Sequence, residues 1–414
     1  MMLMIRKSAA IRVIFNDAHA NLPSSLYIPQ GGVSSFARKF TNYFDKKDAN
    51  IELVSLLFSH NSHDNKIYTK ETVGDHKYYE LYYPREKIIN SYKRKYTKKE
   101  YIKFLKPWLK QVNDIFERTQ PDVVFLNGFS LSNWLILEIA HRRKVPVCVQ
   151  HAGIWKKELN ISQKHFSTSM RKIFSSLEKE IYQKASSMIF LNEFSQNIFL
   201  SIHNIKIKKG DTVKTSIIPL PIDIKSFKKI HLPVKKHYNI GVVARWDGVK
   251  NHDAILRLAK YVRKNNLPIS IKVVTGWGSN KITEYKKEYV KFVDIVNPMS
   301  PEKLKGFYKS QDIIMIPSRF DVSPTVLMES IAEGKPIIIS KNVGWISDYN
   351  KFNLNKLIID PRASGEVIYN TIKELTENSK SYIQKFEKLQ KKIINKNNVK
   401  EVFEEYRKIF INLS

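Results

Sequence analysis

The sequence predicts an α/β protein made of two doubly wound, Rossmann-like domains with a deep cleft between them. Three observations carry this expectation. The chain has 414 residues, and single hydrophobic cores stop growing at roughly 250–300 residues, so two cores are expected. Apolar residues make up 43% and charged residues 26%, the proportions of a folded chain and not of a disordered one. Apolar runs of strand length also alternate with helical stretches almost from end to end, the pattern of a parallel sheet covered by helices.

In the first half the strand-like runs are 11–16, 51–58, 123–126, 145–150, 187–191 and 215–219. In the second half they are 239–243, 270–275, 291–293, 313–316, 336–340 and 357–359. Two such series imply two doubly wound domains. The stretch from Pro221 to Lys236, with Pro233 and a Lys/His cluster, reads as the linker. The expected division is therefore one Rossmann-like domain over 1–221, a second over 237–380, and a helix or helix pair over 381–414 able to pack back on the first domain. Ligands of open sheets bind beyond the carboxyl ends of the strands, which puts the expected site in the cleft.

The formal net charge of +31, from 70 Lys and Arg, points to an anionic partner without choosing among nucleic acid, membrane and acidic small ligands. No helix-turn-helix, zinc or aromatic-glycine RNA signature accompanies it, so nucleic acid is not an expected partner. The single cysteine, Cys148, excludes an internal disulfide and suits a reducing cytoplasm. It lies in an apolar run and is expected to be buried and inert. The first seven residues are too short an apolar stretch for a secretory signal. The most apolar long window, 123–140, is broken by Asn127, Gly128, Ser130, Ser132 and Asn133, so no membrane span is expected.

The densest constellation opens on Asn239-Ile-Gly-Val-Val-Ala-Arg245-Trp-Asp-Gly-Val-Lys250. Arg245 and Lys250 flank a short loop between a strand and a helix over 253–263, where two cations make a receptor for a diphosphate. Taken alone, in a chain with 70 Lys and Arg, the pair reads more readily as solvated surface charge. Further on, a buried strand ends at Pro317-Ser318, followed by Asp321, Pro324-Thr325, Glu329 and Gly334-Lys335-Pro336. Pro324 at a helix start leaves first-turn N–H groups, Thr325 among them, free to meet phosphate. Glu329, about one and a half turns in, is able to reach a pair of vicinal hydroxyls such as those of ribose. Local reading leaves Asp321 as a helix cap and Glu329 as an exposed helix residue as the alternative.

In order and spacing these elements resemble the retaining glycosyltransferases of family 4, which have the GT-B fold. Arg245 and Lys250 match that family's Arg-x4-Lys pair, and Gly276-Trp277-Gly278 its Gly-x-Gly. Asp321-x7-Glu329 stands for Glu-x7-Glu, and Gly344-Trp345-Ile346-Ser347-Asp348 for Gly-Gly-x-x-Glu. The resemblance implies that Arg245 and Lys250 hold the donor diphosphate, that Glu329 holds the nucleotide ribose, and that Asp321 lies near the donor sugar. Gly276 would let backbone approach the donor. Two departures stand out: Asp321 is shorter than Glu, and Trp345 replaces a glycine. Both bear on which sugar is carried.

The first half matches more loosely. Gln30-Gly31-Gly32-Val33-Ser34 follows the first strand, and in the family such a glycine loop closes over the donor. His151 directly follows the strand 145–150, where the family often has a histidine near the reacting sugar, whereas His141, His165 and His203 carry no such signal. Pro219 and Asp223 match the end of the family's first domain. The segment 85–110 holds Lys87, Lys93, Arg94, Lys95, Lys98, Lys99, Lys103, Lys106 and Lys110. Its apolar positions Tyr101, Phe104, Leu105, Trp108, Leu109 and Val112 fall at helical spacing, with Pro107 expected to kink any single helix. A helix docked on its own sheet is one reading; peripheral binding to an anionic membrane, at roughly 1 kcal/mol per basic residue near the surface, is the other.

The resemblance thus implies a cytoplasmic hexosyltransferase, compatible with peripheral attachment to the inner face of the plasma membrane. It would move sugar from a UDP- or GDP-linked donor to a glycan or lipid-linked acceptor, with retention. No cofactor is expected. No Asp-x-Asp occurs in the chain, so no metal is expected either, and cations with a helix start would take the leaving-group charge. The competing readings are a GT-B epimerase or phosphorylase, a non-catalytic scaffold, and, on charge alone, a nucleic-acid-binding protein.

Overall fold

The computed structural model describes residues 10–17, 32–47, 50–59, 68–73, 76–82, 85–161, 166–207, 213–222, 227–275 and 287–414. The chain divides into two compact units, Met1–Pro221 with Val399–Ser414, and Ile222–Asn398.

The first unit is built on an eight-stranded sheet. Its strands are β1 (Ile11–Asp17), β2 (Ile51–Ser59), β3 (Tyr68–Val73), β4 (His76–Tyr82), β5 (Val123–Asn127), β6 (Val147–His151), β7 (Ser187–Phe190) and β8 (Lys214–Ile217). They lie in the order β3-β4-β2-β1-β5-β6-β7-β8, parallel except for the β3–β4 hairpin. Continuous apolar runs at β5 and β7 are buried throughout, as strands covered by helices on both faces must be. The hairpin is a correction to the sequence reading, which placed no strand between residues 58 and 123. Its signal was present: Val73 pairs with His76 across Gly74-Asp75, a two-residue spacing that favours hairpins.

A second correction concerns Pro107. It lies inside a single helix, Lys98–Thr119, opened by a capping box of Thr97 and Glu100 and closed by Gln120 in the left-handed conformation. Pro costs about 3 kcal/mol in a helix interior. Here Pro107 and Lys103, whose carbonyl loses its partner, are both on the exposed side, where water can solvate the gap. The opposite face buries Tyr101, Leu105, Trp108, Leu109, Val112, Ile115 and Phe116, which more than offsets that cost.

The last helix, Val399–Leu413, belongs to this first unit. Its buried residues Val402, Phe403, Tyr406 and Phe410 share one face. They join Phe15, Phe36, Phe40, Phe44 and Phe125 in one aromatic core, with Phe40 and Phe403 edge to face at 5.6 Å. The helix before it, Ser379–Lys396, belongs to the second unit.

The second unit carries a six-stranded, wholly parallel sheet: β9 (Tyr238–Val243), β10 (Ile269–Val274), β11 (Asp294–Val296), β12 (Ile313–Ile316), β13 (Ile337–Ser340) and β14 (Ile358–Ile359). The order is β11-β10-β9-β12-β13-β14, with the crossover at β9 and β12. Strand β11 starts three residues later than expected from the apolar run 291–293. The N–H groups of Phe292 and Val293 both donate to the Tyr289 carbonyl at 3.0 Å, so these residues form a turn and are unable to join the ladder. Among the described residues no helix is long and apolar enough to cross a membrane.

Candidate functional site

In the second unit the carboxyl ends of β9, β12 and β13 bring the sequence-predicted charges together. After β9 the chain turns through Asp247, which caps the single turn Gly248–Lys250 by accepting from the Lys250 N–H at 2.9 Å. Asn251 follows at φ 59, a conformation asparagine tolerates better than most residues. Its buried amide donates to the carbonyls of Pro317 and Pro361, each at 2.8 Å. That one side chain ties the cation loop to the segments following β12 and β14. His252 supports the same loop: its Nε2 lies 2.8 Å from the Arg245 carbonyl, and Trp246 stacks on the ring at 4.3 Å. Burial lowers the His252 pKa, favouring the neutral ring.

Arg245 is 64% exposed and lies 3.4 Å from Asp247. Lys250 is ion-paired with Asp321, their side chains 21% and 11% exposed. Arg319 pairs with Asp253 and also donates to the Gly248 carbonyl at 2.6 Å. Asp321 does not cap a helix. Its N–H donates to the Asn342 carbonyl at 3.1 Å and its carbonyl accepts from Gly344 at 2.9 Å, a short parallel bridge with the loop after β13.

The helix Thr325–Ala332 begins at Pro324 with no side-chain cap. Glu329 on this helix is half-buried, and its carboxylate accepts from the Tyr308 hydroxyl at 2.7 Å. Burial and the neighbouring Glu329 carboxylate push the Tyr308 pKa well above its ordinary value, which keeps the phenol a donor. Gly334 sits at φ 76, and a Cβ there would meet the Lys229 carbonyl oxygen at 2.4 Å. That glycine answers to backbone packing. Trp345 is buried, its indole N–H without a partner among the described residues, and Asp348 pairs with Lys392 of the helix Ser379–Lys396. Gly276 and Asp223 lie outside the described residues.

In the first unit the predicted histidine stands elsewhere than expected. His151 is the last residue of β6, opposite Phe190 of β7, and not the first residue of a loop. It is fully buried between Phe190, with ring centroids at 5.1 Å, and Phe199, at 4.4 Å. Neither ring nitrogen has a partner among the described residues. Burial and the neighbouring His203 pull its pKa down to about 3, so the ring is neutral and is not presented at a surface. Gly31 lies outside the described residues, and Gly32 begins the helix Gly32–Lys47.

Sequence reading missed Asn251, Asp247, Asp253 and Arg319. The first had a local signal, an Asn directly after the second cation and before a helix. Asp247 had one too, an Asp between the two cations and three residues before Lys250, whereas Asp253 and Arg319 meet across 66 residues.

Residues 223–398 match the family model for glycosyl transferases group 1, and the second compact unit begins and ends within a residue of that match. Across 357 residues the chain is 23% identical to the amylovoran biosynthesis glycosyltransferase AmsD of Erwinia amylovora, covering 80% of this chain and 90% of that one. A stretch of 106 residues is 30% identical to the protein EpsF of Bacillus subtilis (strain 168), about a quarter of either chain at 25% and 27%. Among solved structures, sucrose-phosphate synthase from Thermosynechococcus elongatus superposes with a TM-score of 0.71 at 14% identity, over 97% of this chain and 100% of that one. The fold is GT-B, and the second unit spans the residues that match the glycosyl transferases group 1 model.

Proposed function

We propose that the protein is a retaining hexosyltransferase that moves sugar from a UDP- or GDP-linked donor to a hydroxyl of a glycan or lipid-linked glycan. Its task would be the assembly of a surface polysaccharide, a reading supported by the biosynthetic role in the name of AmsD. The observation that carries the donor half is the gathering of Arg245, Lys250, the uncapped helix start at Pro324 and Glu329 at the carboxyl edge of one sheet.

In this reading Arg245, Lys250 and the first-turn N–H groups from Thr325 onward stabilise the negative charge that builds on the leaving diphosphate, without a metal. Glu329, oriented by Tyr308, accepts from the two ribose hydroxyls. The bond from the anomeric carbon to the phosphate oxygen breaks as the acceptor oxygen bonds to the same face. The departing phosphate oxygen takes the acceptor's proton, so no protein base is required. His151, expected from the sequence to be catalytic, enters only as a neutral ring behind the carboxyl edge of the first unit.

The same reading places the enzyme in the cytoplasm, adsorbed on an anionic membrane face. The helix Lys98–Thr119 turns its apolar side into its own unit and leaves Lys99, Lys103, Lys106 and Lys110 exposed, so the attraction would be one of charge without insertion.

The test is a thermal-shift panel of UDP-, GDP-, ADP- and CMP-sugars. At 100 times Kd a ligand stabilises by about 2.7 kcal/mol, so one UDP- or GDP-sugar should raise the melting temperature, and Arg245→Ala should abolish the shift. Stabilisation by none of the panel, or a shift that persists in Arg245→Ala, would refute the donor site.

A further inference from the structure

The cations that would receive a diphosphate are already engaged. Around the end of β9, Arg245 faces Asp247, Lys250 faces Asp321 and Arg319 faces Asp253. Three positive and three negative groups leave this described cluster neutral, in a chain whose formal charge is +31. The Lys250–Asp321 pair is the most withdrawn of the three from solvent. Its partners differ in freedom. The Asp321 backbone is held on both sides, by Asn342 and Gly344, and its side chain is short. Lys250 reaches its partner on a flexible four-carbon stem. The lysine is able to leave; the carboxylate must stay.

We propose that Lys250 and Asp321 form an electrostatic latch by which the site favours an intact nucleotide-diphosphate sugar over the nucleotide diphosphate left after transfer, with Asp321 the specificity-determining residue. The proposal rests on the donor site described above and concerns its selectivity. Any diphosphate that draws Lys250 away leaves a largely buried carboxylate without its counter-ion, beside new negative charge. Removing one partner from such a pair is costly, whereas the intact pair is close to neutral in stability. An intact donor compensates, because a sugar hydroxyl or amine is able to donate to Asp321. Once the sugar has left, nothing does. Asp321 then recaptures Lys250, and the nucleotide diphosphate is expelled. The latch therefore selects sugars that present a hydrogen-bond donor toward Asp321.

The test is calorimetric titration of inorganic diphosphate, UDP and GDP into the unaltered protein and into Asp321→Asn, which keeps the shape and removes the charge. The variant should bind inorganic diphosphate and the preferred nucleotide about tenfold more tightly, equivalent to about 1.4 kcal/mol. Asp321→Ala should show the same gain, which guards against an effect peculiar to the amide. Asp247→Asn, beside the exposed Arg245, should change affinity less than twofold, since exposed pairs contribute little. Affinity unchanged or weakened in both Asp321 variants overturns the latch and leaves the donor site standing. An equal gain in Asp247→Asn also overturns it, as a general effect of charge. Binding of none of the three ligands by any of these proteins removes the latch and the donor site together.

Discussion

The carboxyl edges of the two sheets follow the same plan and are furnished in opposite ways. In the first unit, β1, β5 and β6 end in Asp17, Asn127 and Gln150-His151, all buried. The Tyr406 hydroxyl donates to Gln150, the Gln150 amide donates to Asn127 at 2.6 Å, and the Asn127 amide donates to Asp17 at 2.7 Å. Each donation fixes the orientation of the next amide, so the polar groups are committed to one another. In the second unit the corresponding edge carries Arg245, Lys250, Arg319 and their carboxylates on partly exposed side chains. The first edge holds the carboxylate of Asp17 within that chain of amides, while exposed lysines line the outer helix Lys98–Thr119, and the second edge carries several paired charges. An edge whose amides orient one another in a chain of hydrogen bonds holds a fixed arrangement. An edge of separable ion pairs is able to exchange a partner for a ligand.

The largest expected effect tests the second edge. Replacing Arg245 and Lys250 together by alanine should lower kcat/KM for the donor by about 10²–10⁴, taking about 1.5–3 kcal/mol for each charge-assisted hydrogen bond. Release of nucleotide diphosphate measures it. A loss below tenfold would mean that the exposed charges are not the phosphate receptor, and the contrast between the edges would lose its functional meaning.

The next effect tests whether the first edge is as dry as it looks. His151 stays neutral in the folded protein down to about pH 3, while an unfolded histidine takes up its proton near its ordinary value of 6.5. Below pH 6.5 the unfolded chain therefore binds more protons, and stability falls with pH by up to about 1.4 kcal/mol per unit until about pH 3. At pH 4.5 this amounts to about 2–3 kcal/mol. Urea unfolding at pH 7 and pH 4.5 should show the difference between the unaltered protein and His151→Leu shifting by that amount. An equal difference at both values would show that the ring is able to reach a proton in the native state.

The smallest effect sharpens the contrast in where charge is kept. The unaltered protein should co-sediment with vesicles containing phosphatidylserine and not with pure phosphatidylcholine. Lys103→Glu, Lys106→Glu and Lys110→Glu together should reduce that binding several-fold and leave nucleotide-sugar binding unchanged. Sedimentation indifferent to anionic lipid would return those lysines to the role of a solvated face.

Legibility followed the same division. The alternation of β9, β10, β12, β13 and β14 with helices could be read because each of these strands is a short run dominated by apolar residues, whereas β11, Asp-Ile-Val, lacks that density and begins three residues beyond the expected run. Arg245, Lys250 and Glu329 could be placed because each stands at a fixed offset from a strand or helix end. The β3–β4 hairpin was passed over because its strands, Tyr-Thr-Lys-Glu-Thr-Val and His-Lys-Tyr-Tyr-Glu-Leu-Tyr, are polar and lack the apolar density used to find the rest. His151 was placed one step too far along the chain, since the end of an apolar run does not mark the last ladder pair. One residue of register separates a loop side chain from one packed between Phe190 and Phe199.

The sequence by itself determined the two-domain α/β plan, the order of the second unit's motifs and the positions of its cations, because those are set by local periodicity and by spacing along one chain segment. Only the tertiary structure decided that Lys250 is held by Asp321, 71 residues away, and that Tyr406 reaches Gln150 across 256 residues. It also decided that the two terminal helices part company, Ser379–Lys396 in the second unit and Val399–Leu413 in the first. These outcomes depend on which long-range partner lies within hydrogen-bond reach once the sheets are assembled, and no pattern of neighbours along the chain encodes that.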